Sequence, residues 1–372
     1  MRSRRRRWNC HKRSRPDHDH AERVTLRLAL AMVLVGLAIA GARADAVSDF
    51  YKGRIVNLVV GAGPGGGYDI YGRLLARHLG RYIPGHPNVV VQNMPGAGGL
   101  RAANYLFNVA PKDGAVIGTF AHGVVLIGLL GRNSNVQFDT RRFTWLGSSS
   151  TFANDAYLLV ARPGADVKTV EDAQRPNGPP LLIAASAEGG GTNDVGTLLR
   201  DTLNLNLKLI PGYPDSNSMF LAMERKEVDA RFTAITVLQQ MRPQWLSPKS
   251  DVHVIVQFAR ATRHPQFPNV PTARELARSD RDRELIELGE LPFLIDRPFV
   301  APPNVPADRA LALQQAFIAV QSDPQYIEDA TKLKVDLSPI GGADVAQAID
   351  RIGTVPSETL SYMRKLLGNK PE

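Results

Sequence analysis

From Ile55 onward the chain alternates short runs of Val, Ile and Leu with longer stretches whose apolar residues recur every three or four positions. IVNLVV (55–60), NVVVQN (88–93) and AVIGTF (115–120) have the length and β-branched content of strands. Between them DIYGRLLARHL (69–79) and LRAANYLFNVA (100–110) read as amphipathic helices. In the first, Ile70, Leu74, Leu75 and Leu79 share one stripe and leave Arg73, Arg77 and Arg81 toward water. Strands separated by single helices predict right-handed βαβ units, an α/β fold with mainly parallel sheets flanked by helices.

A second set begins at Tyr157, where YLLVA is ended by the turn RPGAD. PLLIAAS, LKLIPG, VDARFT and VHVIVQFA follow as strands, with TNDVGTLLRDTL and SNSMFLAMERKE as helices among them. RHPQFPNVPT (263–272) carries three prolines and reads as a connector. Beyond FLIDRPFVAPP come helices at DRALALQQAFIAV, from Asp323 to about Lys334, and near Asp344–Ile352. Two α/β sets in 372 residues predict two lobes, since this length exceeds a usual single domain.

The residues before Asp45 change the picture of charge. They hold eleven Lys/Arg against three acids, so they carry +8 of the formal +9 and leave the body of the protein close to neutral. A near-neutral body offers no broad electrostatic footprint for a phosphate backbone, and no nucleic-acid partner is expected. Val24 to Ala44 has an Arg-flanked start, an apolar run from Leu28 to Ala40 and small residues at Ala42 and Ala44. That is the layout of a secretory signal cleaved after Ala44, so residues 1–44 read as a leader and the protein as periplasmic. The apolar run, about 13 residues, falls short of the roughly 20 that span a bilayer. Arg4-Arg5-Arg6-Arg7 lies too far upstream for a twin-arginine signal, and translation from near Val24 is an equal reading of the start. Cys10 is the only cysteine and would leave with the leader, taking with it any disulfide, thiolate metal site or cysteine nucleophile.

Three loops are unusually rich in glycine: GAGPGGGYD (61–69), NMPGAGGL (93–100) and SAEGGGT (186–192). Each follows a predicted strand and opens a helix. Glycine lets backbone N–H groups crowd toward one point, and the helix start adds free N–H groups and partial positive charge. Ligands of open α/β sheets bind at such carboxyl edges. Gly61, Gly63 and Gly66 match G-x-G-x-x-G, but the second strand closes on Gln92-Asn93 where a ribose-binding acid is required, and Pro64 interrupts the turn. No Gly-Lys-Ser/Thr completes a phosphate loop, so neither a nucleotide nor any other cofactor is expected. G-x-S-x-G and H-E-x-x-H are absent, and His78, His86, His122, His253 and His264 lack ligand spacing, so no catalytic residue and no metal are assigned. His122, just past AVIGTF, is the histidine placed for ligand contact. Glu188 would repel an anion and is expected to face solvent.

GPGGGYDIYGRLLARHL, VVVQNMPGAGGLRAANYL, APKDGAVIGTF, LLIAASAEGGGT and RPFVAPPNVPADRALALQQAF together resemble the solute receptors of tripartite tricarboxylate transporters, the Bug family, over roughly residues 50–365. The resemblance implies a two-lobed periplasmic binding protein of the type with two chain crossovers: 45–150 with 270–372 as lobe I and 151–269 as lobe II. It implies a monomer, not an enzyme, that closes on a small carboxylate and hands it to membrane permease subunits. It places Gly65, Gly66, Gly67 and Tyr68 on the ligand from the first lobe and Ser186, Gly191 and Thr192 from the second. Gly98 in the second turn, His122 and Thr233 complete the expected site. Asp69 matches the family's aspartate, with helix capping as its expected task. Val195, Tyr213-Pro214-Asp215-Ser216 and Thr233 depart from the family pattern, which leaves the identity of the acid open. A periplasmic sensor and an exported α/β enzyme are the alternative readings.

Overall fold

The computed structural model describes residues 46–130, 135–186 and 190–368. The expected leader, its cleavage point at Ala44 and Glu188 lie outside them. The chain lays down β1 (Ile55–Val60), β2 (Asn88–Asn93), β3 (Val116–Thr119) and β4 (Thr144–Ser148). It then builds β5 (Tyr157–Ala161), β6 (Leu181–Ala184), β7 (Leu207–Ile210), β8 (Ala230–Ala234) and β9 (His253–Phe258), and returns with β10 (Pro298–Ala301) and β11 (Ile340–Gly341).

The strands form two sheets, ordered β11-β4-β10-β3-β1-β2 and β7-β6-β8-β5-β9. In the first, β1 pairs in parallel with both β2 and β3, and β10 enters antiparallel between β3 and β4. In the second, β6 pairs in parallel with β7 and β8, and β5 runs antiparallel between β8 and β9. Each sheet is therefore mixed, with four strands sharing one direction and the strand after each crossover running against them. The molecule is a two-lobed α/β protein joined between β4 and β5 and again between β9 and β10.

Why the glycine loops stand where they do follows from packing. Val56, Leu58 and Val60 of β1 are buried with Leu74, Leu75 and Leu79 of the helix Gly67–Leu79. Each such side chain contributes roughly 1.5–3 kcal/mol when fully buried. A Cβ on Gly72 would lie 2.8 Å from Val60 Cγ2, so the glycine lets the helix rest directly on the strand. In the second lobe Leu159, Ile183, Leu198, Leu199 and Phe232 form the matching core.

The connector at 263–272 is organised by the buried Gln257. Its Nε2 donates to Phe267 O and Val270 O at 2.9 and 2.7 Å, and its Oε1 accepts from His264 N–H at 2.8 Å. Strands β1–β4, β10 and β11 lie in the first sheet and β5–β9 in the second. The helices Asp280–Glu290 and Ser357–Leu367, expected with lobe I, contribute Leu285, Ile286, Met363 and Leu367 to the core of the second sheet. Among the described residues no helix is long and apolar enough to cross a membrane.

Candidate functional site

The first glycine turn is held from behind. Gly65, at φ 78°, donates its N–H to Asp69 Oδ2 at 2.8 Å. The same carboxylate accepts from Arg73 Nε and Asn93 Nδ2, both at 2.8 Å. Burial pushes Asp69 up, but these three donors outweigh it and hold the carboxyl below its ordinary range. Asn93 also donates to Ala62 O at 3.0 Å, which ties the second glycine turn to the first. A Cβ on Gly61 would sit 3.1 Å from both Ala102 Cβ and Phe120 Cβ and 3.3 Å from Gly99 Cα. Glycine at position 61 allows the two turns this approach without displacing either neighbour.

In front of the turns lies a polar cluster. The Tyr68 hydroxyl accepts the backbone N–H of His122 at 3.0 Å and lies 3.2 Å from its Nδ1. Nδ1 is also 2.6 Å from Asp296 Oδ1, so the ring is oriented by a carboxylate that accepts from it. Asp296 Oδ2 meets Arg297 Nη1 at 2.5 Å. The Arg297 guanidinium lies over the rings of Tyr68 and Tyr71 at 4.8 and 5.0 Å. Burial disfavours its charge, yet Asp296, together with Tyr68, Tyr71 and Asp155, outweighs that and raises its pKa. Burial also pushes the Tyr68 hydroxyl up, so it stays a neutral donor and acceptor. Phe293 packs on the His122 ring with centroids 4.4 Å apart.

The second lobe supplies the facing wall. The helix Gly191–Thr202 starts at Gly190 with no side-chain cap. Ser186 N–H donates to Thr192 Oγ1 at 2.7 Å, and the Thr192 hydroxyl donates to Ser186 Oγ at 2.8 Å. This closes the loop and leaves the Ser186 hydroxyl hydrogen to point elsewhere. Along β8, Arg231 and Thr233 alternate with Ala230, Phe232 and Ala234, which face the core. Thr233 Oγ1 is buried without a hydrogen-bond partner.

These surfaces enclose a cleft of about 470 Å³ between the lobes. A Cβ on Gly191 would lie 4.0 Å from His122 Nε2, so the lobes nearly touch across it. Phe152, Tyr157, Met219, Val237 and Phe293 give the cleft apolar sides, and Arg231, Asp296 and Arg297 also line it. Among the described residues no group of three or more His, Cys, Asp or Glu is placed to hold a metal.

The same architecture and the same sequence pattern occur in known proteins. UPF0065 proteins align with the chain: one from a Pseudomonas species is 26% identical over 235 residues, covering 62% of this chain and 65% of that protein. Another, from Bordetella pertussis, is 24% identical over 296 residues, 78% of this chain and 84% of its own length. A third, from Cupriavidus necator, is 36% identical over 136 residues, 37% of this chain and 39% of that protein. The chain is similar in sequence to these UPF0065 proteins. Its match spans just under two thirds of the first of these relatives, and no family model matches it. The periplasmic binding protein BugD superposes with a TM-score of 0.62 at 21% identity, covering 86% of this chain and all of BugD. MatC from Rhodopseudomonas palustris, with bound malate, gives 0.60 at 20% identity over 84% of this chain and 99% of MatC. A TctC solute binding protein from Polaromonas gives 0.59 at 16% identity, with 85% and 99% covered. The chain thus shares the fold of these periplasmic binding proteins.

Of the residues expected at the site, Gly67, Tyr68, Gly98, His122, Ser186, Gly191, Thr192 and Thr233 line the one cleft. Gly65 and Gly66 do not. Gly65 spends its N–H on Asp69, and Gly66 donates to Gly63 O at 3.4 Å, so both amides turn back into the loop. Asp69 caps the turn from behind and does not line the cleft. Arg231, Asp296 and Arg297 were not foreseen. Asp296 and Arg297 stand in the quoted stretch FLIDRPFVAPP, and an adjacent acid and base entering an apolar strand was the signal available.

Proposed function

We propose that the chain is an exported solute receptor, not an enzyme, that captures a small organic carboxylate between its lobes in the periplasm. It delivers this acid as a monomer to the membrane permease subunits of a tripartite tricarboxylate-type transporter, after a signal peptide is cleaved following Ala44. The lobes are read as 45–150 with 270–372 and 151–269, the helices Asp280–Glu290 and Ser357–Leu367 riding on the second. One observation carries the reading: glycine turns that open helices in both lobes line a single cleft, with Gly67 and Tyr68 on one side and Gly191 and Thr192 on the other. Helix starts present unpaired N–H groups and partial positive charge to an anion. Hydrogen bonds to a charged acceptor contribute about 1.5–3 kcal/mol each, so a few reach the roughly 8 kcal/mol of a micromolar complex. In this reading Gly67, Tyr68, Gly98, His122, Ser186, Gly191, Thr192 and Thr233 contact the guest. MatC bound to malate supports a carboxylate as that guest.

The test is a thermal-shift screen of the purified protein against mono-, di- and tricarboxylates, amino acids and aromatic acids. A true guest at 100 times its dissociation constant adds about 2.7 kcal/mol of apparent stability. Ser186→Ala then weakens the same acid about fivefold, a loss of roughly 1 kcal/mol. No shift with any carboxylate would end the receptor reading.

A further inference from the structure

Arg231 is a buried cation that the glycine turns do not need. It is 2% exposed, yet its side chain lines the cleft. Its Nε donates to Phe232 O at 3.2 Å, Nη1 to Ser216 O at 2.6 Å and Nη2 to Ser216 Oγ at 3.1 Å. A guanidinium has five N–H bonds, so one remains on each terminal nitrogen. Its surroundings are apolar: the charge lies 4.2 Å over the Phe220 ring, and Val160 stands opposite on β5. No carboxylate among the described residues pairs with it. Asp215, which also lines the cleft, acts on it through space without an ion pair, and its Oδ1 accepts from Ser218 N–H at 2.8 Å. Arg242 lies over the same Phe220 ring at 5.3 Å, but it is paired with Glu224 at 2.6 Å.

Buried charges in proteins are paired, because removing an ion from water costs several kcal/mol. Arg297 in the opposite wall obeys this rule through Asp296. Arg231 does not, and burial pushes it down to about 10. Two positions along the same face of β8, Thr233 Oγ1 is buried and unpartnered as well.

We infer that Arg231 and Thr233 form a second anion subsite in the lobe-two wall, so that the guest is a dicarboxylate held by its second carboxylate on Arg231. The inference rests on the reading of the cleft as a carboxylate site. One carboxylate meets the glycine turns, an apolar chain lies against the ring walls, and the far carboxylate accepts from the guanidinium N–H groups that Ser216 and Phe232 leave over.

The test uses acids matched in length, succinate against butyrate, glutarate against pentanoate and adipate against hexanoate, titrated calorimetrically into the purified protein and into Arg231→Met. The unaltered protein should bind the best dicarboxylate at least tenfold more tightly than its monocarboxylate partner. In Arg231→Met that preference should shrink to within about twofold. A monocarboxylate that binds the unaltered protein as tightly as its dicarboxylate would overturn the inference, as would a preference that survives the substitution. Should the variant fail to fold, the matched pairs on the unaltered protein decide alone. If neither kind of acid binds, the receptor reading itself falls and this inference with it.

Discussion

Asp155 lies in the first crossover, between β4 and β5, with its side chain withdrawn from water. Its Oδ1 accepts N–H from Ala156 and from Ile235, both at 2.8 Å, and its Oδ2 is 2.6 Å from the Thr236 hydroxyl. Burial pushes the carboxyl up to about 6 in spite of these donors. The Thr236 hydroxyl can turn to accept, so the neutral acid keeps all three contacts. Because the folded pKa exceeds the unfolded value near 3.9, this group's contribution is complete below about pH 4 and is lost as pH rises through about 6. Moving this carboxyl from near 3.9 to about 6 corresponds to about 3 kcal/mol. Asp155→Asn should therefore flatten the fall in melting temperature between pH 4 and 7, read by calorimetry. Parallel pH profiles for the two proteins would contradict this. Single residues also mark the limit of what the sequence discloses. Tyr68, Ser186 and Thr192 are legible because they border glycine turns. Arg231 and Arg297 look like ordinary strand and loop arginines until folding withdraws them from solvent.

At the level of elements, the glycine turn does two separate jobs with adjacent residues. Gly66 has extended backbone at φ −75° and ψ 164°, and a Cβ there would meet only Gly63 O at 3.4 Å. A Cβ on Gly67 would approach Arg297 Nη2 at 3.5 Å, inside the cleft. Gly66→Val should leave carboxylate affinity within about twofold, whereas Gly67→Val should weaken it at least tenfold, about 1.4 kcal/mol or more. Titration calorimetry on both variants checks the order, and the reverse order would shift the contact to Gly66. The strands β1, β2, β3, β5 and β6 are legible as short apolar runs, and the helices after the glycine turns because their apolar residues keep a clean period. The helix His122–Leu130 is not, since Val124, Val125, Leu126, Ile127 and Leu130 are all buried and no polar stripe betrays its pitch. β4 hides for another reason: TWLGS is short and carries Gly147 at φ 155°, where Phe317 and Ile340 O leave no space for a Cβ. β11, two residues long, has no pattern to read.

For the molecule as a whole, the two crossovers are not independent. Arg260, leaving β9, donates from Nη1 to Ala153 O at 3.0 Å and to Asp155 O at 2.9 Å, both in the first crossover. Cutting this tie by Arg260→Ala should speed dissociation of a bound acid several-fold while association stays within about twofold, as stopped-flow kinetics would read. An unchanged dissociation rate would show that the crossovers bend separately. The sequence discloses that there are two lobes but not that their joints are fastened together, because the fastening uses main-chain carbonyls, which every residue carries.

Phe293, Asp296 and Arg297 have a dual address. They wall the cleft, and they also sit where the chain re-enters the first sheet at β10. A latch mounted on its own hinge post cannot be worked without moving the post. In the proposed receptor, a guest pressing on this wall would push on the joint itself, so recognition and bending would be one mechanical event with no relay through the interior.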